Sequence, residues 1–217
     1  MRSLFVTGTD TGAGKTFVTA GIVRELRRSG IGAVPAKPVQ TGCVNGYMED
    51  LEYCLETSGM VLAPGEKEEL CPLVFPHPCS PHLAAELAGE RIDTVALREK
   101  LNRLEGRYQC VVAEGAGGIM VPLERGRTML DLMSMIRWPV VLVVSDRLGA
   151  INHALLSIAA LRRAGLELAG VVINHASPPA GYISRGNRAA IEEYGNIRIL
   201  GEVPCSPGVF PEGSSGR

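Results

Sequence analysis

The chain reads as short apolar runs alternating with amphipathic stretches, punctuated by Gly, Pro and polar residues. Residues 3–6 form an apolar strand that runs into a Gly-rich loop. Residues 15–29 then carry Ala20, Val23 and Leu26 at helical spacing, and Gly30 and Gly32 stop the helix. Residues 33–37 predict a second strand closed by Pro38, and residues 49–58 a helix. Residues 64–81 are Pro-rich and predict a long irregular excursion. Residues 81–87 predict a helix with Ser80 as N-cap and Pro81 at its first position, followed by an amphipathic segment at 95–104. Residues 110–113 predict a buried strand ending on Glu114. After it come a helix at 128–135, the most apolar and central strand at 139–144, and a helix at 150–164. A strand at 169–173, a helix at 188–194 and a last strand at 197–200 complete the pattern.

Strands joined by helical crossovers imply an α/β fold: a mostly parallel central sheet flanked by helices on both faces. Residues 1–206 are expected to form a single domain, with 207–217, ending "GSSGR", as a disordered or irregular tail. No internal repeat is visible. In open sheets of this kind, ligands bind beyond the carboxyl ends of the strands. The loop after Val6, Lys37, Glu114 and Asn174 each directly follow an apolar strand, so four segments converge on one edge.

Composition narrows the picture little. The 217 residues are 46% hydrophobic and 21% charged, enough to build a sizeable core. A net charge of -1 argues against a nucleic-acid partner. The longest apolar runs, such as 140–144, are too short to cross a bilayer, and the first residues lack the apolar core of a signal peptide. No membrane association and a cytoplasmic location are expected. The 6 Cys are scattered without a C-x-x-C, as free thiols are. His77, Cys79 and His82 cluster, but Pro76, Pro78 and Pro81 surround them and no fourth ligand is spaced to close a zinc site.

The stretch "VTGTDTGAGKT" carries the most chemistry. A Walker A motif places four residues between its first Gly and Gly-Lys-[Ser/Thr]. Here Gly8 comes one residue too early and Thr9 takes the Gly position. The strand–loop–helix context is nevertheless that of a P-loop, so the backbone of residues 11–16 would wrap phosphates at a helix N-terminus. Lys15 would reach the outer phosphates and Thr16 would offer its hydroxyl to Mg²⁺. In the ParA/MinD-like branch, aligned on Gly14-Lys15-Thr16, a signature Lys stands where this chain has Asp10. An acid there disfavours that branch's switch mechanism.

Further candidates follow the other strands. Glu114 stands where a Walker B acid would help hold Mg²⁺. Asp50 begins a helix, and spacing alone reads it as an N-cap. Lys37 lies across the crevice from the P-loop; it is either a second cation over the γ-phosphate or a solvated surface Lys. Asn174 suits an adenine edge, or equally a turn before Pro178 and Pro179. His153, on a helix, reads as structural.

The pieces "VTGTDTGAGKT", "KPVQTG", "SPHLAA", "EGAGG", "LGAINHALL" and "GEVP" together resemble the dethiobiotin synthetase family, over nearly the whole chain from Phe5 to Cys205. That family's loop has the same one-residue offset. The resemblance implies a P-loop NTPase fold, with Mg²⁺ as cofactor and ATP as co-substrate. It implies ring closure of 7,8-diaminononanoate with CO2, through a carbamate and a carbamic–phosphoric anhydride. Lys15 and Lys37 match catalytic lysines, and Thr16, Asp50 and Glu114 match Mg²⁺ ligands. Gly12, Ala13, Gly14, Lys15, Thr16, Phe17, Asp50, Glu114, Gly115, Ala116 and Gly117 are the implied ATP contacts around the phosphates. Asn174, His175, Pro204, Cys205 and Ser206 are those around adenine. Thr11, Lys37, Thr41, Gly117 and Asn152 match substrate positions, Asn152 acting across a homodimer whose interface includes "LGAINHALL".

Three departures stand out. Many members have Glu at the position of Gly12. The segment between Thr41 and Asp50 is short, and "AGYISRGN" has no clear counterpart. Two rival readings remain: an amide-forming synthetase of the cobyrinate type, which shares the P-loop branch, and, from a different class, a ParA/MinD-like ATPase switch.

Overall fold

The structure is a computed structural model, and it describes residues 2–175 and 181–204. The chain begins with β1 (Leu4–Gly8), α1 (Lys15–Arg28), β2 (Ala33–Ala36) and β3 (Gln40–Thr41). Next come α2 (Glu49–Ser58), α3 (Glu66–Leu70), β4 (Val74–Phe75), α4 (Pro81–Leu87) and α5 (Thr94–Arg107). β5 (Cys110–Gly118), β6 (Pro122–Glu124), β7 (Arg127–Thr128), α6 (Met129–Ile136) and β8 (Val140–Ser145) follow. The last elements are α7 (Ala150–Arg163), β9 (Leu168–Asn174), α8 (Gly181–Gly195) and β10 (Ile199–Val203).

Six strands form one parallel sheet in the order β10-β9-β8-β1-β5-β2. Alternation sends neighbouring side chains to opposite faces. Phe5, Val111 and Ala113 join the core beneath α5 and α6, whereas Val6, Val112, Val141 and Val143 pack with Val18 and Val23 of α1. Leu142, Val144 and Ile173 pack on α7 and on Ile191 of α8. Pro35 lacks an N–H and is tolerated because β2 is an edge strand, paired only to β5.

The α/β reading therefore holds, with four local corrections. The excursion at 64–81 contains α3 and β4, and β4 pairs in parallel with β3. The glycines after Glu114 do not form a turn at once: β5 runs on to Gly118. α8 is longer than the 188–194 expected, because Gly181 and Gly186 dilute its helical signal and its buried face is Asn187, Ile191 and Gly195. The last strand lies two residues later, since Leu200, Gly201 and Glu202 of β10 are exposed and give little apolar pattern.

Two caps also differ. Ser80 occupies the N-cap position of α4 but makes no side-chain cap bond. Asp50 is not the N-cap of α2: Met48 is, and Asp50 sits in the first turn. The expected tail at 207–217 lies outside the described residues. Among the described residues, no helix is long and apolar enough to cross a membrane.

Candidate active site

The connection from β1 runs to β2 on one side and that from β5 crosses to β8 on the other, so a crevice opens at the carboxyl end of β1. The P-loop fills that crevice. Gly12 and Gly14 adopt left-handed φ values of 75° and 90°. Gly14 is the N-cap of α1, and the first intrahelical bond is Val18 N–H to its carbonyl. The N–H groups before Val18 therefore face forward, as an anion cradle requires.

A cavity of about 380 Å³ lies over this loop. It brings together Thr11, Gly12, Gly14, Lys15, Thr16, Phe17, Lys37, Thr41, Asp50, Glu114, Ala116 and Gly117 of the expected site. β2 delivers Lys37, whose N–H is held by the Leu70 carbonyl at 2.8 Å. β5 delivers Glu114 from the next strand, and β3 sets Thr41 on the rim. Asp50 is brought in by Gln40: with its amide oxygen toward α2, Gln40 accepts from the N–H groups of Glu49 and Asp50 at 2.9 Å each. The "KPVQTG" segment thus supplies both the lysine and the cap that aims the acid.

The charged groups form one cluster. The Thr16 hydroxyl lies 2.9 Å from Asp50 Oδ1 and 3.0 Å from Glu114 Oε1. Lys37 Nζ lies 2.5 Å from Asp50 Oδ2, 2.6 Å from Glu114 Oε1 and 3.5 Å from the Gly115 carbonyl. Burial would depress the Lys37 pKa, but Glu114 and Asp50 outweigh it and raise it. Burial, with Asp50 nearby, raises the Glu114 pKa; Asp50, also opposed by burial, is held low by Lys37. Lys15 donates to the Asp10 carbonyl at 3.0 Å, and burial together with the Lys37 charge lowers its pKa to about 8. Two carboxylates and a hydroxyl within hydrogen-bond distance are the hard oxygen donors that Mg²⁺ takes, with water and phosphate oxygens completing the shell.

The remaining expected residues lie elsewhere. Ala13 is buried, and its carbonyl accepts from Asn174 Nδ2 at 3.0 Å; Asn174 is itself buried. Both ring nitrogens of His175 face carboxylates, Asp146 and Glu202, at 2.8 Å. Gly115 contributes its carbonyl beside Lys37. Asn152 and Pro204 are exposed and do not line the cavity. Cys205 and Ser206 lie outside the described residues. Asp10 pairs with Arg147 at 2.9 Å and accepts from the Thr11 N–H at 2.8 Å.

Sequence reading missed Val39, Glu49 and Tyr53, which also line the cavity. Glu49 and Tyr53 are four apart on α2 and flank Asp50, so helical spacing was the available signal. Tyr53 meets Phe17 of α1 with ring centroids 6.4 Å apart. Sequence reading also passed over Asp146, which is buried with its side chain at the centre of a hydrogen-bond network.

Comparison with known proteins places the chain as a whole. A family model described as an AAA domain matches residues 2–212. The ATP-dependent dethiobiotin synthetase BioD of Anaeromyxobacter dehalogenans is 39% identical over 96% of this chain and 92% of its own. That of Halalkalibacterium halodurans is 36% identical over 96% and 87%. Among solved structures, the MinC:MinD cell division complex of Aquifex aeolicus superposes with TM-score 0.62 at 17% identity, over 95% of this chain and 82% of that one. The cell division ATPase MinD of Pyrococcus furiosus gives 0.59 at 18%, over 95% and 85%. At such identities the likeness concerns the fold alone.

Proposed function

The chain belongs to the dethiobiotin synthetase family of P-loop proteins, and on that premise we propose that it is an ATP-dependent cyclo-ligase closing the ureido ring of dethiobiotin. Its substrates are 7,8-diaminononanoate, CO2 and ATP. One amine adds to CO2 to give a carbamate. A carbamate oxygen attacks the γ-phosphorus, and ADP leaves. The second amine attacks the carbamoyl carbon, expels phosphate and closes the ring.

The observation that carries this reading is the placement of Lys37. Its ammonium is buried, fixed by Glu114 and Asp50, and shares the cavity with Lys15 and the P-loop. A cation there can hold carbamate and γ-phosphate together, which is what phosphoryl transfer by positioning needs. Lys15 and the loop N–H groups would hold the phosphates, and Thr11, Thr41 and Gly117, which line the same cavity, would contact the diamine. Thr16, Asp50 and Glu114 would hold Mg²⁺, which supplies charge neutralisation at the phosphates. Asn174 and the backbone of residues 204–206 bind the base, and Asn152 serves the substrate across a homodimer in the cytoplasm.

Incubation with ATP, Mg²⁺, bicarbonate and diaminononanoate tests the reading. Dethiobiotin, detected by mass and matched one-to-one by ADP, is the expected result. Phosphate release that ignores the diamine would refute it and favour a switch ATPase.

A further inference from the structure

Asp146 follows β8 directly and is buried, although nothing in the chemistry above uses it. Its Oδ1 accepts from Asn187 Nδ2 at 2.7 Å. Its Oδ2 faces His175 Nδ1 at 2.8 Å and accepts from the Ser184 hydroxyl. Its N–H donates to the Asn174 carbonyl at 2.8 Å. One side chain thus ties the end of β8 to the end of β9 and to α8. From His175 the network continues through Nε2 to Glu202 of β10, and Glu202 pairs with Arg188.

The same network reaches the phosphate loop twice. Arg147, next in the chain, pairs with Asp10, and Asn174 holds the Ala13 carbonyl. Lys37, Asp50 and Glu114 all come from the β2–β5 side of the loop, which assigns that side to the γ-phosphate. A nucleoside attached to the same phosphates must extend the other way, over the carboxyl ends of β8, β9 and β10. That is where Asp146, His175 and Glu202 stand.

We propose that Asp146 is a positioning residue for the nucleoside half of the site, holding the ends of β8, β9 and β10 in register with the phosphate loop. This rests on the ATP-dependent activity proposed above and adds to it the element that fixes base recognition. Asp146 and Glu202 face the two ring nitrogens of His175 at 2.8 Å each and grip the ring from both sides, so both of its polar atoms are turned to these carboxylates rather than to the base. Loss of the grip should loosen the nucleoside contacts while leaving the reacting end intact.

The test measures ATP and GTP binding by calorimetry, together with kcat at saturating ATP, for wild type, Asp146→Asn and Glu202→Gln. Asp146→Asn is expected to weaken ATP binding about tenfold, to narrow the preference for ATP over GTP, and to change kcat less than about twofold. Glu202→Gln, at an exposed position that spares folding, should shift both binding readouts in the same direction by a smaller factor. Unchanged ATP affinity and base preference in both variants would overturn the role of Asp146, as would a loss confined to kcat. If Asp146→Asn fails to fold, Glu202→Gln decides the matter alone. A wild type that binds ATP but makes no dethiobiotin sinks the activity, whereas a fully active wild type with unaltered variants sinks only the positioning role.

Discussion

Lys37 Nζ lies 2.6 Å from Glu114 Oε1, and both side chains are buried. Removing Lys37 leaves Glu114 and Asp50 as neighbouring carboxylates without the cation between them, and a stranded buried charge costs more than the pair gains. Lys37→Ala is therefore expected to lower folding stability by roughly 3 kcal/mol, read from denaturant midpoints. It should also abolish ring closure while ATP affinity stays within about tenfold of wild type, because the P-loop and Lys15 remain. Full turnover in Lys37→Ala would contradict the role given to the lysine.

Glu114→Gln keeps the shape of the side chain but removes its charge. Thr16 and Asp50 would then be the remaining cluster oxygens for a divalent ion. The Mg²⁺ concentration needed for half-maximal turnover is expected to rise at least about tenfold, by analogy with losses seen for ligand-supporting groups. A Mg²⁺ titration of turnover measures it; an unshifted midpoint would remove Glu114 from the metal site.

Lys15 is depressed from an ordinary 10.5 to about 8, first by burial and then by the Lys37 charge. The unfolded chain thus holds this proton more tightly than the folded one. Folding carries a cost of roughly 3 kcal/mol below pH 8, relieved as pH rises through the window up to 10.5. Lys15→Met is expected to raise the denaturation midpoint near neutral pH while ATP binding is lost. In wild type, ATP affinity should decline above pH 8 as the ammonium of the free protein titrates. Affinity flat across that window would show that Lys15 is not the phosphate cation.

The parts of the site that follow apolar strands were legible in the sequence. Lys37 directly follows β2 and Glu114 follows the apolar half of β5, and the parallel pairing of these strands puts the two positions side by side. Asp50 was not legible from spacing, because its partner is Gln40, whose amide caps α2 from another segment and frees the acid to face Thr16. Asp146 was overlooked for a similar reason: alone it is an acid after a strand, and its partners come from α8 and from His175. β10 was misplaced by two residues because an exposed edge strand carries no alternating apolar code. Local pattern reports burial; it does not report which polar groups from distant segments will meet.

Gly14 and Gly12 give the sharpest contrast in one loop. Both have positive φ, but a Cβ on Gly14 would lie 2.0 Å from Asn174 Nδ2 and 2.8 Å from its Cγ, whereas one on Gly12 meets nothing within 4 Å. Asn174 cannot yield easily, since it is buried and its amide holds the Ala13 carbonyl. Gly14→Ala should therefore combine the left-handed penalty of about 1–2 kcal/mol with a steric push on the loop, and lose ATP binding. Gly12→Glu should carry only the backbone penalty of about 1–2 kcal/mol and remain folded and active, since its side chain meets open space. Calorimetric binding across wild type and the two variants separates the steric push from the backbone penalty that both share: an inactive Gly12→Glu, or a Gly14→Ala that binds ATP normally, would mean that the loop geometry is not what shapes the phosphate site.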